Sequence, residues 1–347
     1  MVDRLMEWWQ KRFFRIMAYL AFGLFAFVGF LLITFPQHRV KEIISVQAES
    51  ALDNRYEVTI GDMRFWRLSG VQMRGVRVRE RQRANPAGAE DGPMPMAMQV
   101  ERVSARVAPI RSLLNRGLTI RYQVDIGGGV IQGGFIQSGA EQRVTVRFDK
   151  LDLRQSTLVA SLVGAPVFGV LDGRVELEID GRQGIVTGGS VDIAGEQVTL
   201  SDTVIKSELI PVFTELELPM TNFGTIRVQL EIGDGEGRAS RIEFKEFQTS
   251  GLSMQTQIWG HMDMIHGGGV RPRLEMRMQV SESYITENNL SFLFNAREFR
   301  TGQRGEWYGF VLSGASGNIN FQGSTTAAQG PGAAREAGEE EGGEEGE

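Results

Sequence analysis

Two hydrophobic periods divide the chain. From Ile16 to Phe35 it reads IMAYLAFGLFAFVGFLLITF, twenty residues without a charge. At about 1.5 Å of rise per residue such a helix spans roughly 30 Å, the thickness of a bilayer core. The run therefore predicts a transmembrane helix at 16–35. A cleaved signal peptide would have a shorter apolar core and a small-x-small site, and Thr34-Phe35-Pro36-Gln37 supplies none. Arg4, Lys11, Arg12 and Arg15 precede the span, whereas Arg39 and Lys41 follow it. The positive-inside rule then puts residues 1–15 in the cytoplasm, with Trp8 and Trp9 near the inner interface. Everything after Pro36 lies on the far side, which in a bacterium is the periplasm.

Residues 36–54 keep a helical period, with Val40, Ile43, Ile44, Ala48, Ala51 and Leu52 at three- and four-residue spacings. This amphipathic helix is expected either to pack on the first strands as a stalk or to lie on the membrane surface. From Tyr56 the period becomes two. Ile120–Ile126, Val175–Ile179, Ile226–Ile232 and Leu274–Val280 alternate apolar with charged or polar residues, so each run has one apolar and one polar face. Further strands are predicted at Tyr56–Ile60, Met63–Leu68, Val71–Arg79, Met98–Val107, Arg143–Leu153, Ser190–Ile193, Gln197–Leu200, Ile242–Phe247, Met254–Met264, Tyr308–Leu312 and Asn318–Phe321. Clean alternation excludes a doubly wound α/β fold, whose strands are apolar on both faces. The fold class is mainly β: a transmembrane helix, then an antiparallel β-rich periplasmic domain at 55–322 that forms a curled sheet, sandwich or groove.

Short helices are expected at Pro109–Asn115, Ser156–Val163, Val204–Thr214 and Glu287–Phe299, too few to cover every sheet face. Residues 81–96, rich in Pro and Gly, are expected to form a loop between strands. Residues 323–347 are predicted to be a disordered acidic tail. The weakly similar segments Gly128–Gly134 and Gly188–Gly195 both read as strand edges entering tight turns.

Charge narrows the function. The chain has 37 Lys+Arg against 43 Asp+Glu, a net charge of −6. From Ala333 on, Arg335 faces Glu336, Glu339, Glu340, Glu341, Glu344, Glu345 and Glu347, so the tail carries −6 and the body sums to zero. No basic excess is left for nucleic acid. Without cysteine there is no Cys-based zinc site, thiol nucleophile or disulfide. His261, Asp263 and His266 invite a metal reading, but histidines five apart on a strand face opposite ways and no third ligand is evident. His38 reads as interfacial. Asp172 with Asp180, and Asp149 with Asp152, are the carboxylate pairs on offer, and 43 acidic residues produce such pairs by chance. The glycine runs match neither phosphate-cradle motif. No catalytic, cofactor-binding or metal-binding residue is therefore assigned, and the chain does not read as an enzyme.

Arg74, Arg77 and Arg79 on the strand Val71–Arg79 are expected to form a basic patch, either a solvated strand face or one turned to anionic lipid heads. Met254, Met262, Met264, Met276 and Met278 fall on apolar strand faces, which suits an ordinary core as well as a lipid-holding groove. A charge at Val228 or Met276 is expected to cost several kcal/mol or more, whereas replacing Arg227 or Arg277 is expected to matter little.

The order of features resembles the type II secretion system protein N family in its longer form. The stretches that carry it are the anchor ending in Thr34-Phe35-Pro36, the helix with Val40, Ile44 and Leu52, Tyr56–Gly61, Leu68–Val78, Gly128–Gly134, Gly188–Leu200 and Gly309–Gly314. The anchor, helix and first strands are also similar to the start of AsmA-type envelope proteins, which are linked to lipid traffic. The first resemblance implies an accessory, single-pass inner-membrane component that contacts other subunits of the machine exporting folded proteins. The second implies a periplasmic groove that binds or conveys phospholipid. Neither carries catalytic residues over, and the acidic tail and the 81–96 loop belong to neither pattern.

Overall fold

The computed structural model describes residues 19, 22–23, 37–51, 56–66, 69–80, 97–114, 116–155, 165–205, 216–235, 239–265, 269–315 and 318–331. Tyr56–Thr59 (β1) and Asp62–Trp66 (β2) lie end to end along Gly70–Glu80 (β3), in one continuous antiparallel register. Where they meet, the Gly61 amide donates to the Gly75 carbonyl at 3.2 Å. Gly75 there has φ +61°, a conformation that glycine adopts without cost. The alternation steps by one residue in both strands at this row. Val58, Ile60 and Met63 are consequently all buried, although their spacing changes from two to three.

From β3 the chain runs as a meander through Ala97–Val107 (β4), Leu118–Ile126 (β5), Gly129–Ser138 (β6), Glu141–Asp152 (β7), Val167–Asp180 (β8) and Ile185–Leu200 (β9). A small hairpin, Thr203–Ile205 (β10) with Leu216–Leu218 (β11), leaves the sheet and returns. Thr221–Asp234 (β12), Ala239–Ser250 (β13), Met254–Ile265 (β14) and Val270–Val280 (β15) complete the central body. Gln303–Arg304 (β16), Trp307–Ala315 (β17) and Asn318–Gly323 (β18) form the last edge. All but β10 and β11 belong to a single 16-stranded antiparallel sheet. Its first and last strands do not pair with each other, so among the described strands there is neither a closed barrel nor a second large sheet.

Helices sit at the two ends. Gln37–Ala51 (α1) packs Ile44 and Ala48 on the cluster of Val58, Ile60, Val76, Met98 and Val100. Lys41 Nζ donates to the Gly61 carbonyl at 2.9 Å, and the Val58 amide donates to Glu49 Oε1 at 3.1 Å. Ile43, expected on the packed stripe, is exposed, because the contact runs through Ile44 and Ala48. Pro109–Leu114 (α2) links β4 to β5. At the far end, the helix expected at Glu287–Phe299 is three pieces: Glu282–Glu287 (α3), Ser291–Phe294 (α4) and Arg297–Gly302 (α5). Asn288 and Asn295 terminate the first two, and Asn289 between them adopts φ +55°.

The chain after β18 also departs from expectation. Thr325–Gln329 (α6) is a helix capped by Ser324, whose hydroxyl accepts from the Ala327 amide at 3.2 Å. Ala327 and Ala328 are fully buried against the sheet, so the ordered body passes the expected boundary at 322. The small side chains that made this segment look like a tail are what allow a backbone-to-backbone fit: a Cβ on Gly309 of β17 would stand 2.1 Å from the Ala328 nitrogen. The helix expected at Val204–Thr214 begins instead as β10, and Gly188–Gly195, expected to enter a turn, runs through the interior of β9. The strands expected at Ser190–Ile193 and Gln197–Leu200 are one, joined across an irregularity at Gln197, which has φ +52°.

Among the described residues no helix is long and apolar enough to cross a membrane. The expected span at 16–35 lies outside the described residues except for Tyr19, Phe22 and Gly23, as do residues 1–15, 81–96, 156–164 and 332–347.

Candidate functional site

Register converts the alternation of each strand into a single surface. Starting at Phe65 in β2, directly paired residues run Val71, Ala105, Tyr122, Gly133, Val146, Val175 and Val191 into the middle of the sheet. The same row continues through Leu230, Phe244, Gly260, Leu274, Leu312 and Phe321 to β18. Every position is apolar or glycine. One step to the side, on the other face, the row reads Arg106, Arg121, Gly134, Thr145, Glu176, Ser190, Glu231, Glu243, His261, Arg273, Ser313 and Asn320. The sheet therefore has one apolar and one charged side along its whole length.

Burial is uneven along the apolar side. Dense clusters occur under α1 at the start, around Leu153, Val167, Val198 and Leu200 where Leu218 of β11 packs, and under α4 and α5 at the end. In the last, Phe310 is 1 % exposed. The Phe299 ring meets it edge-on at 4.9 Å, and Phe321 stacks on it at 4.8 Å. Between these clusters Val146, Val175, Val191, Val228, Leu230 and Leu274 are only half-buried. Such a strip is the site the sheet offers: a long apolar surface with charged residues confined to the reverse side.

The residues singled out for chemistry do not converge. His261 and Asp263 share the polar face of β14, and His266 lies outside the described residues. Asp263 is almost fully shielded and accepts from Arg241 Nε at 2.8 Å, a hydrogen bond that holds its carboxyl below the usual range against the opposing effect of burial. The described residues contain no group of three or more metal-ligating side chains. Asp172 accepts from the Lys150 amide, Asp152 from the Arg154 amide and Asp180 from the Arg182 amide, each at 2.9 Å. These carboxylates therefore fix a bulge and turns. Arg74, Arg77 and Arg79 are exposed on the polar face of β3, where Arg74 stands opposite Arg102. His38 lies in α1.

Two residues acquire roles that spacing did not reveal. Arg277, expected to be dispensable, is half-buried. Its guanidinium stacks 4.5 Å from the Trp307 centroid, while Nε donates to Gln257 and Nη1 to the Gln329 carbonyl. It clamps α6 to β15, and only the three-dimensional return of the chain end could show this. Tyr284 of α3 shares a 2.5 Å hydrogen bond with Thr221 at the start of β12, and burial raises its phenol pKa. Compared with known protein families, with curated proteins and with solved structures, the chain matches none.

Proposed function

We propose that this protein is an accessory inner-membrane component of the type II protein secretion machinery. In this reading it is held by a single span at 16–35, and its sheet lies in the periplasm and contacts other subunits. The observation that supports a docking role is the half-buried apolar strip between the helix-covered ends. An apolar surface of this extent gains free energy when a partner removes it from water, about 25 cal/mol per Å². The ordered resemblance along residues 16–322 supplies the machine.

A second reading uses the same strip as a track for the acyl chains of phospholipid. The unbroken row from Phe65 to Phe321 favours it, since a local docking site needs only a few strands and a track needs all of them.

One experiment separates the two: crosslinking in the native envelope, then affinity purification of the full chain with mass spectrometry of proteins and lipids. Recovery of secretion subunits, with lipid no higher than for an unrelated anchored protein, supports the first reading. Enriched phospholipid without those subunits moves the assignment to the track. A preparation with neither sinks both.

A further inference from the structure

The polar side carries a feature of its own, independent of the docking strip. Arg106 stands directly opposite Arg121 across β4 and β5, and Arg147 directly opposite Arg174 across β7 and β8. Like charges on cross-strand neighbours repel, and sheets normally pair opposite charges there. This sheet does so nearby, at Arg102 and Asp125.

Between the two arginine pairs the surface drops. Gly134 has no side chain, and the Thr145 hydroxyl turns down to the Gly134 carbonyl at 3.4 Å. The result is a depression of about 480 Å³ walled by the four arginines and Trp66. The Arg106 guanidinium lies 5.7 Å from the Trp66 centroid, a contact that orients the cation without neutralising it. Arg174 is paired with Glu176. Among the described residues, no carboxylate forms an ion pair with Arg106, Arg121 or Arg147.

We propose that this depression, walled by Arg106, Arg121 and Arg147 and floored by Gly134, binds a phosphate-bearing anion. Guanidinium forks match the oxygens of a phosphate group two at a time, and the negative charge of a phosphate relieves the repulsion among three uncompensated cations around one hollow. The volume falls within the range of small-molecule sites, about 300–1,000 Å³, and exceeds what a bare ion fills. The ligand therefore extends beyond its phosphate, as a phospholipid head group or a soluble phosphate ester does.

The test uses the purified full chain in a neutral detergent. Inorganic phosphate and glycerol phosphate are titrated by calorimetry, and binding to phosphatidylglycerol vesicles is followed by sedimentation against phosphatidylcholine vesicles. Wild type should bind phosphate saturably. The double variant Arg121→Gln with Arg147→Gln should lose about tenfold or more in affinity, the size expected for removing charged hydrogen bonds. Arg227→Gln, on the same face in β12, should bind like wild type. In phosphate-free buffer the double variant should melt at a higher temperature than wild type, because the repulsion is relieved. If it does not fold, R121Q and R147Q singly carry the comparison. Vesicle binding that depends on these arginines identifies a lipid head group, and phosphate-ester binding without vesicle binding identifies a soluble ligand. No saturable phosphate binding by wild type, or variants that bind as wild type does, overturns the proposal.

Discussion

The Phe148 ring lies across Gly173, its directly paired neighbour on β8: a Cβ added to Gly173 would stand 2.7 Å from the ring's Cε2 and 2.6 Å from the Asp192 carbonyl oxygen. The ring fills the space the glycine leaves open on the apolar side. The Asp192 oxygen belongs to the β9 backbone and has no room to retreat. Gly173→Ala should therefore destabilise the protein by about 1–3 kcal/mol, the usual cost of overpacking, in chemical denaturation. Trimming the ring with Phe148→Leu should recover only part of that loss, since the backbone contact remains. Full recovery would show that the ring alone sets the limit.

The aromatic cluster under α4 and α5 should behave as a true core. Phe310→Ala removes a ring that is 1 % exposed and touches Phe299 and Phe321. A loss of about 3–5 kcal/mol is expected in equilibrium unfolding.

The central strip should respond differently. Val228 is half-buried, so the several kcal/mol expected from alternation alone are not incurred in full. Val228→Asp should leave the fold standing and reduce recovery of whatever partner or lipid the strip holds, measured by the crosslinking and mass spectrometry above. A variant that unfolds would mean the strip is an internal core.

Arg277→Ala should free the end of the chain. The side chain stacks on Trp307 and holds the Gln329 carbonyl, so its loss should cost about 1–2 kcal/mol and speed amide exchange in α6 before the rest of the sheet. Exchange in α6 that matches wild type would remove the clamp.

Asp263 gives a pH signature. Arg241 depresses its folded-state pKa, so the pair's contribution is fully present above the unfolded value of about 3.9 and is lost as pH falls through the folded value. Asp263→Asn should lower stability by about 1–3 kcal/mol near neutral pH, and its deficit relative to wild type should shrink below about pH 4. A deficit that stays constant through pH 3 would show that the carboxylate charge is not what Arg241 stabilises.

The repeating face was readable because alternation is local: Ile226, Val228, Leu230 and Ile232 show one side of β12 without knowledge of any neighbour. The signal failed where glycine replaces the side chain that would carry it. The pattern of Gly128–Gly134 reads only as a strand edge entering a turn, although β6 runs on to Ser138 with Gly133 and Gly134 at its centre and Tyr122 crossing Gly133. It failed again at the chain end, where Ala327 and Ala328 bury themselves only because Gly309 lets a helix backbone touch a strand. Sandwich and open sheet differ in what lies beyond each face, which no strand's own pattern records. The Arg106–Arg121 and Arg147–Arg174 pairs depend on register between strands, so spacing along the chain gave no hint of them.

The meander has a mechanical consequence. From β4 to β14 each strand pairs only with strands adjacent to it along the chain, the β10–β11 hairpin apart, so strain applied at one end has no long-range pairing to spread into. Such a structure behaves as a nearly one-dimensional array whose stability is a sum of neighbour terms. Pulled between its ends, it should yield as a series of similar small steps, one strand at a time, rather than as one large rupture. The same additivity makes the length of the sheet adjustable: a hairpin added or removed changes its reach while the joints on either side keep their own register.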